Sequence, residues 1–224
     1  MVSAAHRGPR RADALKELLP TPLTSQGSQA PEKFRLFLAV AIPEGVRAEL
    51  ERTQLEFRRA AIDLPIRWTK PEHFHLTLKF LGDVEVERIE ALSDALRTVS
   101  RNFEPLQLRV QEIGCFPDWH YPRVIWAGVQ DPTQTLLRLQ SATESAAQPF
   151  SAEEREKNFA GHVTLGRVKG IRRAQAEVLA RFGASMSGRF FGEWCASNVM
   201  LMRSELGSDG ARHTVLAELG LVGL

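Results

Sequence analysis

The stretch HFHLTLKF, His73 to Phe80, decides how this chain is read, because a near-copy of its core returns as GHVTLGRV, Gly161 to Val168. In each copy a histidine is followed two residues on by a threonine: His75 with Thr77, and His162 with Thr164. Apolar residues hold the alternate places, Phe74, Leu76 and Leu78 in the first copy, Val163 and Leu165 in the second. A strand sends successive side chains to opposite faces. The period of two therefore buries the apolar set and leaves an imidazole beside a hydroxyl on the other surface. One His-x-Thr is ordinarily just the polar face of a strand. Two of them, with histidines 87 residues apart, point to a duplicated lobe and to an imidazole pair suited to general acid and general base work. The histidines lack short ligand spacing such as HExxH, and no cysteine or carboxylate cluster stands beside them in sequence, so no metal is expected.

Several segments, in this order, resemble the 2H phosphoesterases, a superfamily named for its two His-x-Thr/Ser motifs: RLFLAVAIP (Arg35 to Pro43), IRWTKPEHFHLTLKFLGDV (Ile66 to Val84), IGCFP (Ile113 to Pro117), PRVIWAGV (Pro122 to Val129), HVTLGRVK (His162 to Lys169) and LMRSEL (Leu201 to Leu206). Within that superfamily the chain is most similar to the bacterial and archaeal RNA 2′,3′-cyclic phosphodiesterases, also called 2′-5′ RNA ligases. One departure is visible: KNFAG (Lys157 to Gly161) precedes His162 where the family commonly carries RPFRPH. The resemblance implies an α+β fold of two lobes related by a pseudo-two-fold, with antiparallel sheets lining a central cleft and helices packed outside. It also implies hydrolysis of an RNA 2′,3′-cyclic phosphate end to a 2′-phosphomonoester, with His75 as proton donor and His162 as proton acceptor. Attack by a 5′-hydroxyl would run the same chemistry backwards as 2′-5′ ligation. No cofactor is expected, and the chain carries no P-loop GxxxxGK[ST].

Supporting positions follow from parity and chemistry. The hydroxyls of Thr77 and Thr164 are candidate donors to non-bridging phosphate oxygens. Lys79 lies an even step beyond His75 and Thr77, which puts it on their face as a phosphate ligand. Arg167 lies an odd step beyond His162 and Thr164, which puts it on the opposite face unless a bulge intervenes. Arg203 is a candidate phosphate ligand, the alternative being an ion pair with Glu205. His73 reads as a solvated residue at the strand entrance, and His6, His120 and His213 as surface. Phe116, Trp119 and Tyr121 form an aromatic loop suited to stacking on a base or to packing as a lid. Trp68, Trp126 and Trp194 read as core.

The order of elements agrees with an α+β class and not a doubly wound sheet. A buried strand is expected at Arg35 to Ala41, an amphipathic helix at Val46 to Ala61, a short strand at Ile66 to Thr69, and the first histidine strand up to Gly82-Asp83. Helices follow at Glu85 to Val99, Thr133 to Ala147 and Arg172 to Phe182. Strands are expected at Leu106 to Ile113, Arg123 to Val129, Glu193 to Arg203 and His213 to Leu219, the last two joined by a turn at Gly207 to Gly210.

The chain has 224 residues, enough for one sizeable core or two small lobes packed together. Hydrophobic content of 43% and charged content of 25% are ordinary for a globular protein. No apolar run approaches the ~20 residues that span a bilayer. Cys115 and Cys195 are isolated, which suits a reducing cytoplasm and packing roles. Residues 1–32, rich in Ala, Arg, Pro, Ser and Gln, read as a flexible extension in which Asp13 to Leu19 could form a helical turn, and residues 33–224 as one two-lobed domain. Residues 1–33 hold five basic and three acidic groups, the whole of the net charge of +2. A neutral remainder does not suit a protein that tracks a long polyanion; it suits a monomer gripping a nucleic-acid end. Two other readings stay open: the same chemistry on small cyclic nucleotides or 2′-5′ oligonucleotides, and a non-catalytic RNA-end-binding module.

Overall fold

Period-two stretches dominate the chain, and they pair into one large antiparallel sheet. The structure, a computed structural model, describes residues 31–207 and 210–224; the expected helical turn at Asp13 to Leu19 lies outside them. In chain order the described residues form β1 (Lys33–Ala41), α1 (Glu44–Ala60), β2 (Ile66–Trp68), β3 (His75–Glu85), α2 (Ile89–Ser100), β4 (Leu106–Phe116), β5 (Val124–Gln130), α3 (Thr135–Ala147), β6 (His162–Val168), α4 (Arg173–Ser185), β7 (Phe190–Ala196), β8 (Asn198–Gly207) and β9 (Gly210–Gly220). The fold class is α+β, as expected. The sheet runs β7-β4-β5-β6-β3-β1-β8-β9, with β2 also paired to β6. Its two halves, β7-β4-β5-β6 and β3-β1-β8-β9, meet at one pairing, Leu76 opposite Val163.

Boundaries differ from expectation in two places. The first histidine strand does not end at Gly82-Asp83 but runs on to Glu85, because Gly82 takes a φ of +68° that a side chain would resist. The stretch Glu193 to Arg203 is two strands, β7 and β8, broken at Ser197.

Each half lends a helix to the other. After β1, α1 crosses to pack on β7 and α4, while α3, which follows β5, packs on β3 and α2. Leu36, Leu38, Leu76, Leu78, Val163 and Leu165 are fully buried or nearly so between sheet and helices. At about 1.5–3 kcal/mol for each buried aliphatic side chain, this face alone fixes the register of the histidine strands.

The two histidine strands share a feature that strict alternation misses. Both begin with the same seven-residue burial sequence: partly buried, buried, partly buried, buried, buried, exposed, buried. In β3 the pairing with β1 passes from Thr77 to Lys79 and leaves out Leu78. In β6 the pairing with β5 passes from Thr164 to Gly166 and leaves out Leu165. A bulge therefore falls three residues after each histidine, and from there on the faces are exchanged.

Candidate active site

The Leu76–Val163 pairing is antiparallel. One residue to either side, it sets His75 across from Thr164 and Thr77 across from His162. The four polar side chains thus share one face around a local two-fold, and diagonal neighbours on such a ladder stand about 7–8 Å apart. Both imidazoles are tied in the same way. His75 Nδ1 lies 2.8 Å from the carbonyl oxygen of His73, and His162 Nδ1 lies 2.8 Å from that of Ala160. A carbonyl only accepts, so Nδ1 carries the proton and Nε2 of each neutral ring is left as an acceptor.

A cavity of about 550 Å3 opens on this face, lined by His75 and Thr164 together with His73, His213, Phe37 and Phe80. His213, a surface residue by the sequence reading, is drawn into this site. It is half-buried, with its ring 5.5 Å from His75, 4.8 Å from His73 and 5.0 Å from Phe37. Burial pushes the His75 imidazole down to about 4; the His73 carbonyl opposes the shift, and repulsion from His213, His73 and His162 adds to it. His213 is also held below its ordinary value, first by burial and then by His73. On the other side of the two-fold, His162 meets the ring of Phe116 edge-on at 5.1 Å, and Trp126 lies 6.4 Å away.

The bulges correct two expectations. Lys79 is not on the cleft face. It is 4% exposed and faces α3, where Nζ pairs with Glu144 at 2.6 Å and donates to the Glu154 carbonyl at 2.8 Å. Phe80 takes its place on the cleft side. In the second copy the same exchange brings Arg167 into the cavity wall: the bulge intervenes that strict parity needed for Arg167 to share the face of His162 and Thr164. A sequence signal was present. It lies in the second copy, where the apolar set skips the fifth place and resumes at the sixth (Val168); in both copies the buried positions fall at one, three, four and six residues after the histidine, and Phe80 and Arg167, at five, are exposed.

Arg203 is the third correction. It pairs opposite Leu36, a core-facing residue, so it projects from the helix side of the sheet. There its guanidinium lies 3.6 Å over the Phe34 ring and 3.0 Å from Glu205. Of the aromatic loop, Phe116 reaches His162, Trp119 packs against the core and Tyr121 is exposed. Trp68 packs on the core but also borders the cavity. The cavity wall adds Arg35, Arg67 and Lys70, none of which strand periodicity singles out.

This sheet, with its paired His-x-Thr strands, is that of a phosphoesterase class, and the chain belongs to the LigT-like phosphoesterase family. Residues 40–126 match the family described as LigT like Phosphoesterase. An RNA 2′,3′-cyclic phosphodiesterase of Methanothermobacter thermautotrophicus is 34% identical over 182 residues, covering 81% of this chain and 96% of that protein. A protein of the same name from Aquifex aeolicus is 31% identical, covering 84% and 98%. Among solved structures, a Thermus thermophilus protein superposes with a TM-score of 0.68 at 29% identity, covering 84% of this chain and 98% of its own. No helix among the described residues is long and apolar enough to cross a membrane.

Proposed function

We propose that this protein is a hydrolase that opens the 2′,3′-cyclic phosphate at an RNA end without a metal, leaving a 2′-phosphomonoester. The observation that carries this reading is the two-fold arrangement of His75, Thr164, Thr77 and His162 about one strand pairing. The names of the relatives supply the substrate class.

In this mechanism water attacks phosphorus while its proton passes to Nε2 of His162. The bond from phosphorus to the 3′-oxygen breaks, and that oxygen takes a proton from Nε2 of His75. The two rings work on opposite sides of phosphorus, as in-line displacement requires. Negative charge gathers on the non-bridging oxygens. There the threonine hydroxyls donate hydrogen bonds, and Arg167 supplies a charge that does not titrate. The Phe80 ring, 54% exposed beside the cavity, offers a face for the terminal base.

Water in the cleft favours hydrolysis. A 5′-hydroxyl held in its place would be joined through the 2′-oxygen by the same two rings. The test is an assay in EDTA on an RNA with a 2′,3′-cyclic end and on a free 2′,3′-cyclic nucleotide. The expected product carries a 2′-phosphate, and turnover disappears in His75→Ala and His162→Ala. Full activity in both variants, or a 3′-phosphate product, would overturn the mechanism.

A further inference from the structure

The cleft carries more positive charge than the two-histidine reaction, with Arg167, uses. Arg35, Arg67, Lys70 and Arg167 all line the cavity, and among the described residues no carboxylate does. Among the described residues none of the four makes a salt bridge. The concentration is local, because the chain beyond residue 33 carries no net charge. Arg67 stands out. It is the direct partner of Arg167 in the pairing of β2 with β6, and both residues are exposed. Like charges directly opposed across a ladder destabilise it, and an anion placed between or beside them removes the penalty.

Arg67 is also offset from the chemistry. Thr164 and Arg167 are three residues apart with one residue taken up by the bulge, so the Arg67–Arg167 rung lies about 7 Å along β6 from the reacting groups. Its guanidinium extends further still. Nη2 lies 3.6 Å from where a Cβ on Gly210 would stand, at the start of β9. Arg67 thus lines the cavity beside Arg167 and the start of β9, and Lys70, whose carbonyl accepts from the His73 backbone N–H, lines the same cavity.

We propose that Arg67, assisted by Lys70, binds the phosphate on the 5′ side of the terminal nucleotide, so that the site prefers a cyclic end preceded by another phosphate over an isolated cyclic nucleoside. This inference rests on the proposed cyclic phosphodiesterase reading. An internucleotide phosphodiester and a free 5′-phosphate present the same oxygens, and both fit.

The experiment compares kcat/KM of wild type, Arg67→Ala and Arg67→Lys on three substrates: a nucleoside 2′,3′-cyclic phosphate, its 5′-phosphorylated form, and a dinucleotide with a cyclic end. Wild type should prefer the two substrates with the extra phosphate by roughly tenfold, the size of one charge-assisted contact. Arg67→Ala should lose most of that preference yet stay within about twofold on the bare nucleoside, and Arg67→Lys should keep part of it. For the dinucleotide, the slope of log kcat/KM against log salt should become shallower by about 0.7, one phosphate's worth on a single strand. The melting temperature of Arg67→Ala should hold or rise, since a like-charge pair is removed. A preference for the dinucleotide alone would identify the internucleotide phosphate as the ligand.

Equal losses on all three substrates, or an unchanged preference, would overturn the proposal. If wild type turns over none of them, the reaction reading fails. Calorimetric binding of the 5′-phosphorylated and bare 2′-nucleotides then judges the subsite separately: tighter, Arg67-dependent binding of the former upholds it, and equal binding ends it.

Discussion

With an imidazole pushed down to about 4, His75 is charged in roughly one molecule in a thousand at pH 7. The role of proton donor therefore demands that the proton arrive with the substrate. Raising the ring to a value near 7 requires about 4 kcal/mol, at ~1.36 kcal/mol per unit. A single negative charge at about 4 Å, in surroundings of effective dielectric ~20, supplies about 4 kcal/mol. A bound phosphate is thus just sufficient. His162→Ala stops turnover in the proposed mechanism and allows a cyclic substrate to be held intact, and a cyclic diester takes up no proton itself at pH 7. Calorimetry at pH 7 in buffers of different ionisation enthalpy should record about half a proton taken up per ligand bound to His162→Ala, since a ring raised to near 7 is half charged there. The double variant lacking His75 as well should take up almost none. Binding without proton uptake, or equal uptake by both proteins, would refute the reasoning and give the donor role to His162.

Lys79→Met leaves Glu144 as a buried charge without its partner and should lose roughly 3–5 kcal/mol of stability in urea unfolding, much of it recovered when Glu144→Gln is added; a stable Lys79→Met enzyme with a raised KM would return Lys79 to the cleft. Thr164→Val and Thr77→Val should each lower kcat by about 10²-fold with little change in KM, since the hydroxyls act on charge that develops late; unchanged kcat would remove them from the site. The acid stability of the protein should also carry His75's signature. Its folded value of about 4 lies below the ~6.5 of an unfolded chain, so the unfolded state binds the proton first as pH falls. This contribution is fully present above pH 6.5, and up to about 3 kcal/mol of it is lost on the way to pH 4. His75→Gln should lack that part of the slope in a denaturant series, and parallel profiles for the two proteins would contradict the assignment.

Local pattern was enough for the pairs His75/Thr77 and His162/Thr164 to be found, for the apolar face beneath them, and for the α+β order of elements. Each rests on the period of a strand or helix, which a few neighbouring residues determine. The side on which Lys79 and Arg167 emerge was not decided locally. A bulge is a relation between two strands, and only the pairing of β3 with β1 and of β6 with β5 shows where a residue is left over. The depressed His75 and the buried setting of His213 are tertiary for the same reason: β9 brings a ring from 138 residues away to within 5.5 Å of His75. Desolvation and repulsion act through space, and no spacing along the chain records them. Nor does sequence announce that Arg67 and Arg167, a hundred residues apart, share one rung. Periodicity along the backbone told which side chains can share a face; the neighbours that tune those side chains were chosen by packing between segments remote in sequence.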